Sequence, residues 1–505
     1  MEAVAQAPAP DAAGATDVVD HVAVARLYGE PLFALPTDLY IPPDALDLYA
    51  ARIAAQPQER WPDALVLLGD QVYTDELTEH TKSLLHRRRD ARTERRALDD
   101  QVADFEEYTR LYYESWTDPQ VRWLLSTIPS SMIFDDHEMI DDWNTSAAWR
   151  ATASRQPWWP GRISGGLVSY WVYQHLGNLS PQELEQNETW QAIQDMAEDD
   201  ELRDAEPMLR HMAELADAEP ATIRWSFVRH WGEARLLMVD SRAGRVLEEQ
   251  HRRMLDEEEF AWVEAAMRRA VDEGVEHLII GTSLPSLLPH AIHNVERWNE
   301  TLNVRHHDRW RGRLSERIRQ AADLEHWAAF SDTFFKVSDM LFEVARGERG
   351  RAPRTITFLS GDIHNSFLSE VNGGEELTSR IFQAVCSPIR NPLPRHVRAL
   401  QAMIGKGLAF PLRAVVERTS VRTPSFRWRT THGPWFDNNL AVVEVTGDGL
   451  DFRWLTGEIR DGDLEHPHTR VVSDIRIEGD GESKRLDTWQ PLGIRILTRV
   501  AHLRR

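Results

Sequence analysis

The sequence predicts an α/β protein, and three observations carry that reading. Short apolar runs recur along the chain and each stops at a polar residue. Long amphipathic stretches at helical spacing separate them. The composition, 42% hydrophobic and 28% charged over 505 residues, is that of a folded chain. With 19 Trp and 16 Phe the chain has ample material for a core, which excludes a wholly disordered polypeptide. The length suits about three domains or one large body with insertions.

Taken in order, Ala64–Leu68 runs into Gly69-Asp70, Ser131–Phe134 into Asp135-Asp136-His137-Glu138, and Arg235–Val239 into Asp240-Ser241-Arg242. His277–Ile280 then runs into Gly281-Thr282-Ser283, and Thr355–Leu359 into Ser360-Gly361-Asp362-Ile363-His364. Continuous apolar runs of this length read as strands buried on both faces. Ligand and catalytic groups collect just beyond the carboxyl ends of such strands. Five strands delivering Asp, His, Arg and Ser to one rim describe a site; one such run would mean little.

Between the runs, residues 76–125 are charged and helix-prone, with Phe105, Tyr108, Leu111, Tyr112 and Trp116 at three- and four-residue spacing. Residues 165–218 read the same way, and Leu255–Val271 and Leu324–Ala345 add further amphipathic helices. Leu440–Val445 and Leu450–Leu455 form a hairpin around a Thr-Gly-Asp-Gly turn. Residues 1–20 read as a disordered lead-in, and 471–505 as a tail whose end, Ile494–Arg505, is expected to be a basic, surface-docked helix. Trp158 and Trp159 are assigned to core packing, the basic run from His86 to Arg96 to a solvated helix face, and Cys386 to a buried apolar position.

Several classes are excluded or disfavoured. The net charge of −23 argues against a stable complex with nucleic acid, while leaving room for a pocket that takes one phosphate. A single cysteine precludes an intramolecular disulfide and any zinc site built on several thiolates. No apolar run is long enough for a membrane span. The opening residues are acidic, without a signal sequence or twin arginine, so the expected compartment is the cytoplasm, or outside the cell should the gene product start upstream. The oligomeric state is not legible.

The chemistry lies at the strand ends. Asp70 and Tyr73 set a carboxylate and a phenol three residues apart; Asp136-His137 and Asp362-x-His364 each join a carboxylate to an imidazole. Oxygen and imidazole donors from three strand ends are what a two-metal site needs. Taken singly, each motif has a structural reading as turn or helix cap.

Gly69-Asp70-Gln71-Val72-Tyr73, Phe134-Asp135-Asp136-His137-Glu138 and Ser360-Gly361-Asp362-Ile363-His364 resemble, in order, three motifs of the PhoD-like (alkaline phosphatase D) metallophosphatases of the calcineurin-like superfamily. Asp240-Ser241-Arg242 and the segment Leu255–Trp262 resemble that family's Asp-x-Arg stretch and the helix after it, so the likeness spans roughly residues 60–390. It implies a four-layer αββα sandwich, here a catalytic domain over 21–470 with helical insertions at about 76–125 and 165–218. It also implies hydrolysis of small phosphomonoesters or phosphodiesters by in-line attack of a metal-bridging hydroxide, with ferric iron and calcium. By position, Asp70 would bridge the metals, Tyr73 would bind iron, Asp136, Asp362 and His364 would complete the ligand set, and His137 would be the catalytic histidine. Arg242 would lie near the phosphate or serve structure.

Two departures qualify the likeness. Relatives carry an iron-binding cysteine upstream of the Gly-Asp motif, whereas no residue before Asp70 is Cys. Losing a soft thiolate weakens iron more than a hard ion such as calcium, and manganese becomes a further candidate. Where relatives have paired Asn, this chain has Asp141-Asp142-Trp143-Asn144, of which Asp141, Asp142 or Asn144 is a further candidate ligand or a helix cap. The competing expectation is a weak or inactive homologue that binds a phosphorylated ligand in the same pocket.

Overall fold

The computed structural model describes residues 44–92, 100–198, 203–307, 309–373, 376–388, 422–447, 449–460, 467–478, 484–485 and 494–499. In chain order the strands among these are β1 (Ala64–Leu68), β2 (Ser130–Ile133), β3 (Phe227–Trp231), β4 (Ala234–Met238), β5 (His277–Gly281), β6 (Thr355–Ser360) and β7 (Ser366–Asn372). They continue with β8 (Arg380–Val385), β9 (Arg427–Trp435), β10 (Asn439–Thr446), β11 (Gly449–Glu458), β12 (His468–Glu478), β13 (Lys484–Arg485) and β14 (Ile494–Arg499). All five apolar runs read from the sequence are strands, and the hairpin is β10–β11.

The strands form two seven-stranded sheets in a mixed α/β fold. One has the order β13-β12-β11-β10-β14-β1-β2, the other β3-β4-β5-β6-β8-β7-β9. β1 and β2 are parallel neighbours with Leu68 opposite Ile133, so their carboxyl ends open side by side at Asp70 and Asp135. In the second sheet β4, β5 and β6 run parallel, with Met238 opposite Gly281 and Gly281 opposite Leu359. Three more polar ends are thereby brought level, and Ser241 Oγ meets Ser283 Oγ at 2.8 Å.

Side-chain alternation along the strands divides the core. Val66 and Leu68 of β1 join Val443, Phe452 and Trp454 of the first sheet and Leu236, Ile279 and Leu359 of the second in one buried cluster. Leu65 and Leu67 turn the other way, to the helices Ala45–Ala54 and Pro119–Thr127. Leu237, Ile280 and Phe358 likewise meet the helices Glu257–Asp272 and Ser331–Ala345. Cys386 is buried in the central cluster, where burial pushes its thiol up to about 12. Trp159 is buried there too, as expected.

The predicted helical regions are helical, in pieces. The first comprises Glu79–Arg92, Phe105–Trp116 and Pro119–Thr127; the second begins at Trp159 and ends at Ala218. Gly165 and Gly166 let the helix Trp159–Tyr170 press onto its neighbours: a Cβ at Gly165 would lie 2.8 Å from Phe105 N, and one at Gly166 would lie 2.7 Å from the Tyr108 hydroxyl. Arg88 and Arg89 of the basic run are not simply solvated, since Glu107 pairs with both.

The tail departs from expectation. Residues 494–499 are a strand rather than a helix, parallel to β1 and antiparallel to β10. The reason is pairing: β1 and β10 would otherwise each leave a row of backbone N–H and C=O groups unsatisfied, and a run rich in Ile and Thr suits a strand. The lead-in 1–20 and residues 500–505 lie outside the described residues. No described helix is long and apolar enough to cross a membrane.

Trp454 ties the sheets together. Its ring is fully buried and its Nε1 donates to the carbonyl of Val385, at the end of β8, over 3.1 Å. Trp454→Ala is expected to cost about 3–5 kcal/mol of unfolding free energy, measured by urea denaturation; a loss below about 1 kcal/mol would show that the central core does not hold the two sheets together.

Candidate metal centre

The loops after β1 and β2 are held by hydrogen bonds to carboxylates. Glu138, buried, accepts from the Gln71 N–H over 2.8 Å, the Asp135 N–H over 3.2 Å and the Gln174 side chain over 3.0 Å. Its own carbonyl accepts from the Tyr108 hydroxyl over 2.7 Å, which ties the loop to the first helical insertion. Asp70 Oδ1 accepts from the His137 N–H over 3.1 Å, and the Tyr73 hydroxyl donates to Asp70 Oδ2 over 3.2 Å. The Asp136 carboxylate accepts from the N–H groups of His137 and Asp142, at 3.1 and 2.9 Å.

All five non-glycine residues at positive φ among the described residues lie around this rim: Asp142, Asn144, Asp323, Asp362 and His364. Asn, Asp and His tolerate the left-handed region best, yet each such residue stores on the order of 1 kcal/mol of strain. Such strain gathers at sites where side chains must be aimed.

Two groups of potential ligand atoms result, each with its atoms within 4.8 Å of one another: Asp70, Asp136 and His137, and Asp135, Asp136 and Asp362. Asp136 is common to both, whereas the resemblance gives the bridging place to Asp70. Asp141 and His364 join neither group. Asp141 is exposed, with Oδ1 3.7 Å from His137 Nε2. His364 is half-buried, two residues beyond Asp362. Asn144 is buried with both ends of its amide engaged, Oδ1 by Arg150 at 3.0 Å and Nδ2 by the Arg242 carbonyl at 3.3 Å.

Burial dominates the electrostatics. It raises the Asp70 and Asp135 carboxyls well above the usual range, despite His137 beside the first and Arg242 beside the second. Neighbouring carboxylates push both further the same way. Burial would lower His137, but Asp75, Asp136 and Asp70 outweigh it and hold the imidazole well above its ordinary value. Buried carboxylates crowded this closely favour occupancy by cations, and an all-oxygen set with one imidazole suits hard divalent metals. Asp135 Oδ2, buried without a hydrogen-bond partner, is an acceptor such an ion would satisfy. The residues present therefore fit a metal cluster.

Of the two places expected for Arg242, beside a phosphate or in a structural role, its surroundings match the second. Its side chain is fully buried, with Nε donating to Asp135, Nη1 to Glu325 Oε2 and Nη2 to Glu325 Oε1 over 2.8 Å. Asp136 Oδ1 lies 3.4 Å from Nη2. Glu325 accepts from Arg245 as well, over 3.5 Å, and Asp240 fixes the Arg242 backbone through a 2.8 Å bond. No exposed edge of the guanidinium remains for a substrate.

Sequence reasoning missed four participants. Asp75 Oδ1 lies 2.8 Å from His137 Nδ1, and its Oδ2 accepts from the Asp141 N–H over 2.8 Å. Its only signal was its position two residues beyond Tyr73. Glu296, His326 and Glu325 come from the region 290–330, outside every motif; His326 Nδ1 is 2.6 Å from Glu296 Oε1 and its Nε2 is 3.4 Å from Asp362 Oδ2. His326 and Arg242 hold the Asp362 carboxyl below its usual range against the effect of burial. His290 and His293 belong to neither group of ligand atoms; they pack against Trp428.

The ion-pair network can be tested apart from activity. Glu325→Leu removes the carboxylate that buried Arg242 and Arg245 share and is expected to lower unfolding free energy by about 3–5 kcal/mol in urea melts; an unchanged midpoint would mean that water reaches the two arginines.

Comparison with known proteins bears on the same loops. No curated protein matches the chain. A solved structure described as "Structure of PhoD" resembles it with a TM-score of 0.49 at 10% identity, over 90% of this chain and 71% of that one. The family model described as PhoD-like phosphatase matches residues 48–191, a stretch that contains both the Asp70 and the Asp136-His137 loops. Over that stretch the match agrees with the resemblance carried by the Asp70 and Asp136-His137 motifs.

Proposed function

We propose that the chain is a metal-dependent phosphoesterase that hydrolyses small phosphomonoesters or phosphodiesters. The observation that carries this reading is the pair of ligand groups sharing Asp136 at the carboxyl ends of β1, β2 and β6. The central core lined from both sheets, with helices on the outward faces of each, supports a four-layer αββα arrangement.

Asp70, Asp136 and Asp362, with Tyr73 beside them, are the residues proposed to hold metal ions; calcium and manganese suit the oxygen-rich set, and iron suits it less without a thiolate. Bound there, such ions would polarise a phosphoryl oxygen and lower the pKa of a water molecule. Asp141, Asn144 and His364 are proposed to shape the rim. The remaining chemistry belongs to His137. Asp75 at Nδ1 fixes the orientation of the ring, and Nε2 is the atom proposed to hold or pass a proton at the leaving oxygen. The surrounding carboxylates favour the imidazolium, the form that donates. Arg242 is assigned a positioning role, fixing Asp135 and Asp136 from behind.

Hydrolysis of bis(4-nitrophenyl) phosphate and of 4-nitrophenyl phosphate, with calcium and manganese supplied, tests the proposal. Asp70→Asn is expected to abolish turnover, His137→Gln to lower kcat by about 10²–10⁴-fold, and Asp75→Asn by about 10–100-fold. Wild type that turns over neither compound, or Asp70→Asn as active as wild type, would refute the reading.

A further inference from the structure

A cavity of about 200 Å³ lies along the helix His290–His306, lined by Arg297, Glu300, Thr301, Val304, Arg305, Ser331, Phe335 and Arg422. Its helical members fall at i, i+3, i+4, i+7 and i+8 from Arg297, a single face. Glu296 lies off that face and turns to His326, so the cavity shares no residue with the carboxylate groups around Asp136. Three arginines and one glutamate line it, in a chain whose net charge is −23. The glutamate is already engaged, because Glu300 accepts from the Ser331 N–H over 2.9 Å and from its hydroxyl.

Arg297 is the telling residue. It is 1% exposed, and Nε, Nη1 and Nη2 all lack a hydrogen-bond partner. The ring of Phe335 lies 5.4 Å from its Cζ, the Arg422 guanidinium lies 3.9 Å from the same ring, and Glu300 is, among the described residues, the one carboxylate that acts on its charge favourably. Desolvation lowers its pKa to about 10. A buried guanidinium with every donor unused is costly unless something supplies acceptors, and a tetrahedral oxyanion matches its planar fork. A cavity smaller than those that take drug-sized ligands suits one small group.

We infer that this cavity is a second binding site, for a phosphate group, whether free inorganic phosphate or the phosphate of a larger molecule. The site stands independently of catalysis at Asp136. Calorimetric titration of inorganic phosphate, and separately of glycerol 3-phosphate, into full-length Asp70→Asn and Asp70→Asn/Arg297→Met tests it in a background with the carboxylate centre disabled. Asp70→Asn should bind one phosphate per chain, and Arg297→Met should weaken binding by at least about tenfold. The two ligands distinguish a free ion from a phosphate moiety. Equal affinities in the two proteins, or no binding to Asp70→Asn, would overturn the inference. Melting temperatures guard against misfolding: in phosphate-free buffer Arg297→Met should match or exceed its parent, because it removes a buried guanidinium without hydrogen-bond partners, and phosphate should raise only the parent's Tm. A lower Tm for Arg297→Met without phosphate would make Arg297 a structural residue and contradict the site.

Discussion

Carboxylates buried together at one rim set the terms for the rest of the structure. Asp70, Asp135, Asp136, Glu138, Asp240 and Glu325 are all buried, and Asp362 stands beside them. An isolated buried carboxylate is expensive, and several at contact distance are more so, because each raises the proton affinity of the next. The fold meets this cost in three ways. Backbone N–H groups bind Glu138, Asp240, Asp70 and Asp136; Arg242 binds Glu325 and Asp135, and Arg245 binds Glu325; and the crowding that persists around Asp70 and Asp136 suits cations.

This arrangement explains why the strand ends are spliced so tightly to sequence-distant segments. β1 and β2 place Asp70 and Asp135 side by side through their register, while Arg242 reaches Asp135 from the end of β4 in the other sheet. Glu325 is held in turn from a loop far along the chain. The rim is therefore a joint between the two sheets as well as a site. Its ion pairs and the Trp454–Val385 hydrogen bond act on the same interface from different places. The left-handed residues in the loops after β2 and β6 are the conformational counterpart: the backbone there is bent to aim side chains, at some cost in local stability.

Much of this was legible in the sequence, for a physical reason. An apolar run that ends at a polar residue marks both a buried strand and its exit, so Ala64–Leu68 through Thr355–Leu359 announced strands and candidate ligands at once. Asp70, Asp136 and His137 could be named because each is local to such an exit. What stayed hidden was pairing between distant segments. Nothing near Arg242 shows that Glu325 will bury it, and nothing near Asp362 shows that His326 will face it. Asp75 was close enough to see but had no apolar run to mark it. The tail failed differently: Ile494–Arg499 reads locally as amphipathic in either period, and only the empty place between β1 and β10 decides for a strand. Arg297 carried no motif, since its meaning comes from the absence of hydrogen-bond partners.

The carboxylates that share Asp136 are proposed to form a metal cluster. Metal content per chain, measured by inductively coupled plasma mass spectrometry after saturation with manganese and gel filtration, tests it most directly in wild type beside Asp136→Asn. About two ions per chain are expected in wild type, with the loss of at least one in the variant, because the altered carboxylate belongs to both groups. Wild type that retains no metal, or a variant that retains as much as wild type, would contradict it.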